Sequence, residues 1–370
     1  MKELSPLQRN SILGVVIVLI AGSIWYLESI QSHHGASGPG APIPIASNVT
    51  TSDRSNIIAQ KTKQYQRAVD FANPSGFVNS DPFHIQDLIG KKVILIDFWT
   101  YSCINCQRTL PYLTAWYDKY KDQGLEIIGV HTPEFQFEHD INNVKAATQK
   151  FGIKYPVVLD NDYGTWNAYQ NLYWPREYLI DIDGFIVHDH AGEGDYDVTE
   201  RAIQNALKER AQVLHLQENI ASDMANPSNV ILLNPTQVGS PETYFGAARN
   251  EFFGNGIHNK TGLMQLSSPS SLDQNTFYLD GSWNVQQEYA ENQSANASIS
   301  YRYQAKHVYF VAGSSQANSV QIYRDGVLVK TISIQANQLY SLIDETDSGA
   351  HTLKLIIQNP GLQAYTFTFG

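Results

Sequence analysis

Two cysteines, Cys103 and Cys106, carry the most distinctive chemistry of this 370-residue chain. The continuous apolar run Val93–Trp99 precedes them and predicts a buried strand, and the residues after them predict a helix that reaches about Lys121. A cysteine at the N-terminus of a helix lies near free backbone N–H groups and the positive end of the helix dipole, which stabilise a thiolate. We therefore expect Cys103 to act as the nucleophile and Cys106, one turn further along, to resolve the mixed disulfide.

The pair of cysteines has two other interpretations, which are half of a zinc site and a structural disulfide. A tetrahedral zinc site needs two more ligands, and the chain has no third cysteine and no histidine pair at a suitable spacing. A structural disulfide between residues so close together would constrain the unfolded chain little. We therefore predict a redox-active disulfide between Cys103 and Cys106, with no bound metal and no other cofactor.

Composition limits the classes of function. Hydrophobic residues make up 42% of the chain and charged residues 16%, so we expect neither a disordered chain nor a membrane protein with many spans. With 25 basic and 36 acidic residues the net charge is −11, and no long basic run is present, so nucleic acid is not an expected partner. The length suits two or three domains.

The N-terminal region predicts export. Residues 12–27 form an uncharged apolar stretch that follows Lys2 and Arg9, and the next lysine or arginine is Arg54. By the positive-inside rule, residues 1–30 form a single-pass anchor in the cell membrane, with a cytoplasmic N-terminus and extracytoplasmic domains. A cleaved signal peptide is the alternative, and the protein would then be secreted. Residues 31–69, which begin with a stretch rich in Gly, Pro and Ser, are predicted to be a linker.

Two folded domains are predicted after the linker. Strand and helix patterns alternate over residues 70–215, and the pair Asp183 and Gly184 predicts a hairpin turn, so we expect an α/β domain with a mixed sheet. Over residues 236–370, apolar residues alternate in short runs that Gly, Asn, Asp and Ser separate. That pattern predicts an all-β sandwich that resembles a jelly roll.

The sequence around the cysteines, DFWTYSCINCQRTLPYL, resembles the thioredoxin superfamily. Asp97 lies six residues before Cys103, and Pro111 lies five residues after Cys106, where thioredoxins kink the active-site helix. A Trp-Pro pair that ends at Pro175 matches the position of the cis-proline loop in the superfamily. Together these motifs are much more specific than the two cysteines alone.

Two further features are similar to particular branches of that superfamily. A helix predicted near residues 138–151, between the second and third strands, resembles the TlpA-like branch, and the sequence GVHTPEF is similar to DipZ-like proteins. The resemblance covers about residues 75–210. It implies a thioredoxin-like α/β domain with an inserted helix and the activity of a thiol-disulfide oxidoreductase.

The resemblance also implies roles for individual residues. Asp97, in the buried strand, would have a raised pKa because burial disfavours the charged carboxylate, and it would exchange a proton with Cys106. Pro175, after a cis peptide bond, would leave the backbone of Trp174 free to pair with an extended substrate segment. The candidates for the substrate groove are Trp99, Thr100, Tyr101, Trp174 and Glu134. The alternative for Trp99 is that it belongs to the core. Glu134 is either a proton shuttle or a surface loop carboxylate.

The chain departs from the commonest family patterns in two ways. Ile104 and Asn105 stand between the cysteines in place of the Gly-Pro pair of thioredoxin, so the direction of electron flow stays open, with a reductase favoured by the resemblance. DipZ-like proteins often begin with a polytopic membrane domain that transfers electrons, whereas this chain has one apolar segment. We therefore expect a separate membrane protein as the electron donor.

The C-terminal residues resemble the domain that follows the thioredoxin domain in DipZ-like proteins. That domain is similar to carbohydrate-binding modules, so an envelope glycan or a protein is an expected partner of residues 236–370. Most of the aromatic side chains there are expected to fill the core, because alternation is what a core requires. His188 and His190 share a face of a predicted edge strand, and we expect them to face solvent rather than to bind a metal.

The leading hypothesis is an exported, membrane-tethered thiol-disulfide oxidoreductase that acts on protein disulfides or dithiols. One alternative is an envelope glycan- or protein-binding protein on a thioredoxin-like scaffold. The other is a thiol peroxidase, whose pattern P-x-x-x-T-x-x-C requires a proline at position 96. Thr100 fits that pattern, but position 96 is Ile96.

Overall fold

The computed structural model describes residues 51–228, 230 and 238–370. The predicted anchor or signal over residues 1–30 and the first part of the predicted linker lie outside these residues. Within the described ranges, no helix is both long and apolar enough to cross a membrane.

The first described element is helix α1, Thr51–Gln64, which belongs to the folded α/β domain. Its Lys61 is buried, and the Lys61 Nζ atom lies 2.6 Å from an oxygen of Asp181 and 2.9 Å from one of Asp183. The predicted linker over residues 31–69 is therefore wrong at its C-terminal end. The sequence pattern missed this helix because a buried ion pair, rather than an apolar stripe, holds it in place.

A six-stranded mixed sheet forms the centre of the α/β domain. Its strands lie in the order β1-β4-β3-β2-β5-β6, with β2, β3 and β4 mutually parallel and the other pairs antiparallel. The strands are β1 Gly76–Val78, β2 Val93–Trp99, β3 Leu125–His131, β4 Val157–Leu159, β5 Arg176–Ile180 and β6 Ile186–Ala191. Both the mixed sheet and the edge hairpin of β5 and β6 agree with the sequence pattern.

Four helices pack around this sheet. They are α2 Ile104–Tyr120, α3 Ile141–Lys150, α4 Gly164–Ala168 and α5 Tyr196–Val213. Helix α3 is the inserted helix between β3 and β4, and a 3₁₀ turn, Gln136–His139, precedes it. Alternate residues of β2 face opposite sides of the sheet, so Leu95 and Trp99 pack in the same cluster as Cys106 of α2. Asp97 lies between Leu95 and Trp99 along the strand, two residues from each, and so faces the same side of the sheet.

The C-terminal domain is built of nine strands joined in one sheet. The path of neighbours is β13-β12-β14-β11-β15-β10-β9-β8, with β7 paired to β15. The strands are β7 Thr243–Tyr244, β8 Gly262–Leu266, β9 Phe277–Val285, β10 Ala290–Asn292, β11 Ala297–Ser314, β12 Asn318–Arg324, β13 Val327–Ile334, β14 Gln338–Ile357 and β15 Leu362–Phe369.

The long strand β11 organises this β domain. It pairs with β14 along most of its length, whereas its first residues also pair with β9 and its last residues with β15. Trp283, Tyr301 and Tyr303 are fully buried in the core that results. These aromatic side chains fill the interior, as the alternation predicts, and their faces are not available to a ligand.

Candidate active site

The first cysteine caps the helix that carries the second. Cys103 is the N-cap residue of α2, with extended backbone angles, and its Sγ atom accepts a hydrogen bond from the Cys106 N–H at 3.5 Å. Cys103 is partly exposed, whereas Cys106 is 1% exposed, and both are free thiols. A substrate disulfide, or a thiol that attacks the oxidised pair, can therefore reach Cys103 more easily than Cys106. This is the arrangement that a nucleophile and a resolving cysteine require.

Burial sets the protonation of the second thiol. The pKa of Cys106 is raised well above its usual value, chiefly by burial and further by a hydrogen bond to Cys103 and by the nearby charge of Asp97. Cys106 is therefore a thiol rather than a thiolate in this state, and it must lose a proton before it attacks.

Asp97 lies in the buried interior on the same side of the sheet as Cys106. It is 1% exposed, and its Oδ1 atom has no hydrogen-bond partner among the described residues. Burial raises the pKa of Asp97 well above its usual value, and the charge of Glu177 raises it further. A carboxyl group of that kind can hold or accept a proton near neutral pH.

Glu177 is a second buried carboxyl group that the sequence analysis did not identify. It lies directly opposite Asp97 in the antiparallel pair of β2 and β5, it is 2% exposed, and burial raises its pKa to about 7. The available signal was a glutamate among the apolar residues of REYLID, the segment between Pro175 and the predicted hairpin turn. Such a residue needs a partner or a function.

The loop before β5 carries a cis peptide bond and exposed side chains. The bond between Trp174 and Pro175 is cis. The Trp174 indole N–H donates a hydrogen bond to the carbonyl oxygen of Thr132 at 3.1 Å, which orients the ring. Leu172 and Tyr173, just before it, are both strongly exposed, and sequence reasoning did not select them.

Two of the predicted groove residues are in the core. Trp99 and Thr100 are fully buried, so the expectation that they line a surface groove is wrong. Trp99 is a core residue, which was the alternative. They lie at the end of the central strand β2, where α2 and α3 cover the sheet. Tyr101 is also largely buried, and its ring stacks on His131 with the ring centroids 5.6 Å apart.

Tyr101 borders a cavity between the two domains. The cavity has a volume of about 290 Å³. Its lining from the α/β domain includes Tyr101, Gln107 and Asn143, and its lining from the β domain includes Asn337 and Gln338. Side-chain amides therefore line part of a space that begins at Gln107 of the active-site helix.

Glu134 contacts the β domain. The Glu134 carboxylate accepts a hydrogen bond from the Arg249 guanidinium at 2.7 Å and one from the Tyr244 hydroxyl at 2.8 Å. The expectation of a free proton shuttle or a loose surface carboxylate is therefore replaced by an interdomain ion pair. Sequence alone does not place Arg249 there, because it is 115 residues further along the chain.

Glu138 is a second functional candidate that sequence reasoning missed. Its buried carboxylate accepts hydrogen bonds from the Ser102 hydroxyl at 2.6 Å, from the Glu134 N–H at 2.6 Å and from the Phe135 N–H at 2.9 Å. Burial raises the pKa of Glu138 to about 7. Because Ser102 precedes Cys103, this carboxyl group joins the active-site turn to the loop that contacts the β domain.

Aromatic side chains complete the contact between the domains. Tyr365 of β15 lies edge-on to Phe135 and Phe137, with ring centroids 5.1 and 4.8 Å apart. Phe135 and Tyr365 are both buried. The β domain therefore packs on the 134–138 loop, one hydrogen bond away from the active-site turn.

Comparisons with known proteins give the family of the chain. Residues 65–189 match the AhpC/TSA family, and residues 240–370 match the family described as the thioredoxin-like C-terminal domain. Protein DipZ of Mycobacterium tuberculosis is 38% identical over 306 residues, which are 82% of this chain and 43% of DipZ. This chain thus spans less than half the length of that relative.

A shorter relative decides the assignment. The thiol-disulfide oxidoreductase YkuV of Bacillus subtilis is 32% identical over 124 residues, which are 34% of this chain and 83% of YkuV. This chain belongs to the thioredoxin-like thiol-disulfide oxidoreductases. A solved structure of a thioredoxin-like protein in the oxidised form also matches, over 39% of this chain and 97% of that protein, at 28% identity and a TM-score of 0.37.

Other acidic and histidine groups of this chain have structural partners. Asp181, Asp183 and Glu209 lie close enough together to suggest a cation site, but Lys61 lies among them and forms ion pairs with all three. His188 is buried and lies 3.1 Å from the Thr199 hydroxyl of α5, so the expectation that it faces solvent is wrong. Helix α5 covers this face of the edge strand.

Proposed function

We propose that this chain is an exported, membrane-tethered oxidoreductase that reduces disulfide bonds in proteins. One observation carries the proposal, which is the partly exposed Cys103 at the N-terminus of α2 above the buried thiol of Cys106. The buried carboxyl group of Asp97 on the same side of the sheet supports it.

The proposed reaction moves two electrons from the dithiol to the substrate. The Cys103 thiolate attacks one sulfur of a substrate disulfide, and the other substrate sulfur leaves as a thiolate. Cys106 then gives its proton to a buried carboxylate and attacks Cys103, which releases the second substrate sulfur. The products are the Cys103–Cys106 disulfide and a reduced substrate, and a separate membrane donor of electrons would reduce the enzyme again.

The exposed side chains of Leu172 and Tyr173, beside Trp174, are the proposed docking surface for the substrate. They supply exposed apolar area on the loop that carries the cis-proline, and such area suits an unfolded or extended protein segment. This surface replaces the groove that sequence reasoning assigned to Trp99 and Thr100.

Insulin reduction tests the proposed activity. The wild-type protein should precipitate the insulin B chain in the presence of a dithiol donor, and Cys103→Ser should have no activity. Cys106→Ser should stop at a mixed disulfide, which mass spectrometry detects as a covalent adduct. Equal activity of the wild type and Cys103→Ser would contradict the enzyme assignment. It would favour the alternative of a protein that binds envelope glycans or proteins on a thioredoxin-like scaffold.

The reduction potential tests the direction of electron flow. A reductase should have a potential of about −270 mV, whereas a value of about −120 mV would mark an oxidant. Equilibration with glutathione or dithiothreitol, followed by alkylation and mass spectrometry, gives this number.

The proposed location rests on the apolar residues 12–27 and the basic residues that precede them. Fractionation of cells that express the full chain should place it in the membrane and resistant to alkaline extraction. The mass of the mature N-terminus distinguishes the anchor from a cleaved signal. Recovery of the intact chain from the cytoplasm would contradict export.

We also propose that the β domain is a sandwich that binds an envelope glycan or a protein and thereby positions the redox domain. The resemblance to carbohydrate-binding modules supports it, and the burial of Trp283, Tyr301 and Tyr303 restricts any sugar contact to other side chains. A glycan array probed with the full chain tests it, and no binding across the array would leave a protein as the partner.

A thiol peroxidase is the second candidate, because residues 65–189 match the AhpC/TSA family. Ile96 occupies the position where that chemistry requires a proline. Hydrogen peroxide consumption at the rate of insulin reduction would favour the peroxidase.

A further inference from the structure

Three titratable residues lie in a row across neighbouring strands of the α/β sheet. Asp97 of β2 is directly opposite Glu177 of β5, and Glu177 is directly opposite His190 of β6. Residues opposite each other in an antiparallel pair point to the same face, with Cβ atoms about 4.5–5.5 Å apart. The row therefore begins on the side of Cys106 and ends on β6, which is the last strand of this sheet.

Burial decreases along this row. Asp97 and Glu177 are buried, whereas His190 is partly exposed. A proton on Cys106 is enclosed by α2 and the sheet, so it needs a path to solvent. The row leads from the enclosed end to the exposed edge.

Each member of the row has an unpaired polar atom. Asp97 Oδ1, Glu177 Oε2 and His190 Nε2 are buried atoms with no hydrogen-bond partner in the described part of the chain. Buried polar atoms are almost always paired in folded proteins, because an unpaired one is costly. Three unpaired atoms in one row point to groups that exchange protons rather than to groups that stabilise the fold.

The two carboxyl groups influence each other. Burial raises the pKa of Asp97 and the charge of Glu177 raises it further, while burial raises the pKa of Glu177 to about 7. Two adjacent carboxyl groups in a buried site do not both ionise readily, so they share one proton near neutral pH.

Within the described residues, several elements bring polar and titratable groups close to the pair. Thr199 of α5 also donates a hydrogen bond to Glu177, and it contacts His188. Glu193, the next acidic residue beyond β6, is held by Arg108 at 2.8 Å. The titratable groups that face the pair are Cys106 of α2, Tyr155 before β4, His188 and His190 of β6 and Tyr196 of α5.

We propose that Glu177 is the proton-relay partner of Asp97, and that the pair passes the proton of Cys106 to His190 and from there to solvent. This inference rests on the proposed oxidoreductase function. It assigns to Glu177 and His190 a role that neither the motif around the cysteines nor the comparisons contain.

The proposed step is balanced in protons and electrons. The Asp97 and Glu177 pair begins with one proton and takes a second from the Cys106 thiol. The electron pair on the Cys106 sulfur forms the bond to the Cys103 sulfur, and the bond from Cys103 to the substrate breaks towards the substrate, which leaves as a thiolate. The second proton then moves through His190 to water.

The reagent dithiobis-nitrobenzoate separates the two thiol steps. Attack by Cys103 releases one coloured thiolate, and attack by Cys106 on the mixed disulfide releases a second, so stopped-flow absorbance records two phases. The first phase tests the proposed function, because it requires a reactive Cys103. The second phase tests the relay.

Glu177→Gln should leave the first phase unchanged and slow the second at least tenfold at neutral pH. The midpoint of the pH profile of the second phase should move to lower pH, because Asp97 loses the like charge that raises its pKa. Asp97 is then a weaker base, so the plateau rate should also be lower. Glu177→Asp, which keeps the carboxyl group, should recover part of the rate. Glu126→Gln, a carboxyl change on β3 outside the row, is the matched control.

The outcomes separate the two ideas. Loss of the first phase in the wild type would overturn the proposed function itself. If the wild type shows the first phase, and the pH profile of the second phase is the same in Glu177→Gln as in the wild type, the relay alone is overturned. If Glu177→Gln fails to fold, the comparison of Glu177→Asp with the wild type decides the same question.

His190 has a separate test. In steady-state turnover at low buffer concentration, His190→Ala should be several-fold slower than the wild type, and added imidazole should restore the rate. His188→Ala is the matched control, because His188 lies opposite Leu179 rather than a carboxyl group. Absence of any imidazole effect on His190→Ala would remove His190 from the path.

Discussion

Burial distinguishes chemically identical side chains at the active site. Cys103 and Cys106 are three residues apart, yet one is partly exposed and receives an N–H hydrogen bond, while the other is enclosed and has a raised pKa. Glu177 differs from an ordinary glutamate in the same way, because its carboxyl group is removed from water. The chemistry of each residue therefore follows from its depth in the domain.

The raised pKa of Glu177 predicts a pH-dependent stability. An unfolded glutamate ionises at about pH 4.5, whereas the folded one ionises at about 7, so the contribution of Glu177 to stability is fully present below pH 4.5 and is lost as the pH rises through 7. The loss is at most about 3–4 kcal/mol, because the two pKa values differ by about 2.5 units at about 1.4 kcal/mol per unit. Glu177→Gln should remove it, which urea unfolding at a series of pH values measures.

An exposed carboxylate provides the control for that measurement. Glu251→Gln should leave the pH dependence of unfolding unchanged, because Glu251 is exposed. The quantity to follow is the stability of the wild type minus that of Glu177→Gln. If this difference does not fall between acid and mildly alkaline pH, Glu177 is not a buried, protonated group.

At the level of elements, short polar connections hold the active-site turn. Ser102 is buried and donates to Glu138, whose carboxylate also accepts N–H groups from the 134–138 loop. One carboxyl group therefore joins the turn before α2 to the loop after β3.

Ser102→Ala should destabilise the protein by about 1.5–3 kcal/mol, the range for a hydrogen bond to a charged group. Thermal unfolding measures the change. Ser298→Ala is the control, because the Ser298 hydroxyl is also buried but has no partner among the described residues. Equal effects of the two substitutions would show that the Ser102 hydroxyl does not hold the turn.

Helix α1 is held by the buried cation of Lys61, and Arg54 of the same helix also pairs with Asp183 and Glu209. Lys61→Met leaves the buried carboxylate of Asp181 without a cation and should cost about 3–5 kcal/mol. Lys63→Met, on the exposed face of the same helix, should change the stability little. A small effect of Lys61→Met in chemical unfolding would mean that α1 is not held by this ion pair.

At the scale of the whole molecule, the β domain packs on the loop that supports the active site. Arg249 and Tyr244 bind Glu134, and Tyr365 packs on Phe135 and Phe137. The two domains should therefore unfold together, because each buries part of the other's surface.

Tyr365→Ala should uncouple them. Removal of this ring should cost about 3–5 kcal/mol and convert one calorimetric transition into two. Arg201→Ala, which breaks an exposed ion pair within α5, should leave one transition. Two transitions in the wild type, or one in Tyr365→Ala, would contradict coupling through this interface.

Local patterns along the chain are enough to predict much of this protein. The apolar run of β2, the cysteine at the start of α2 and the alternation in the β domain each depend on neighbours in sequence, so the α/β domain, its mixed sheet and the buried aromatic core could be predicted. Asp97 could be predicted as well, because a charged residue inside a buried strand is visible without a structure.

Tertiary structure decided the features that depend on distant parts of the chain. The register between β2 and β5 places Glu177 opposite Asp97, and the packing of the β domain gives Glu134 its partner Arg249. The burial of Trp99 and Thr100 likewise depends on helices that cover the end of β2. The spacing of the two cysteines was present in the sequence, but the groups that accept the proton of Cys106 are brought together only by folding.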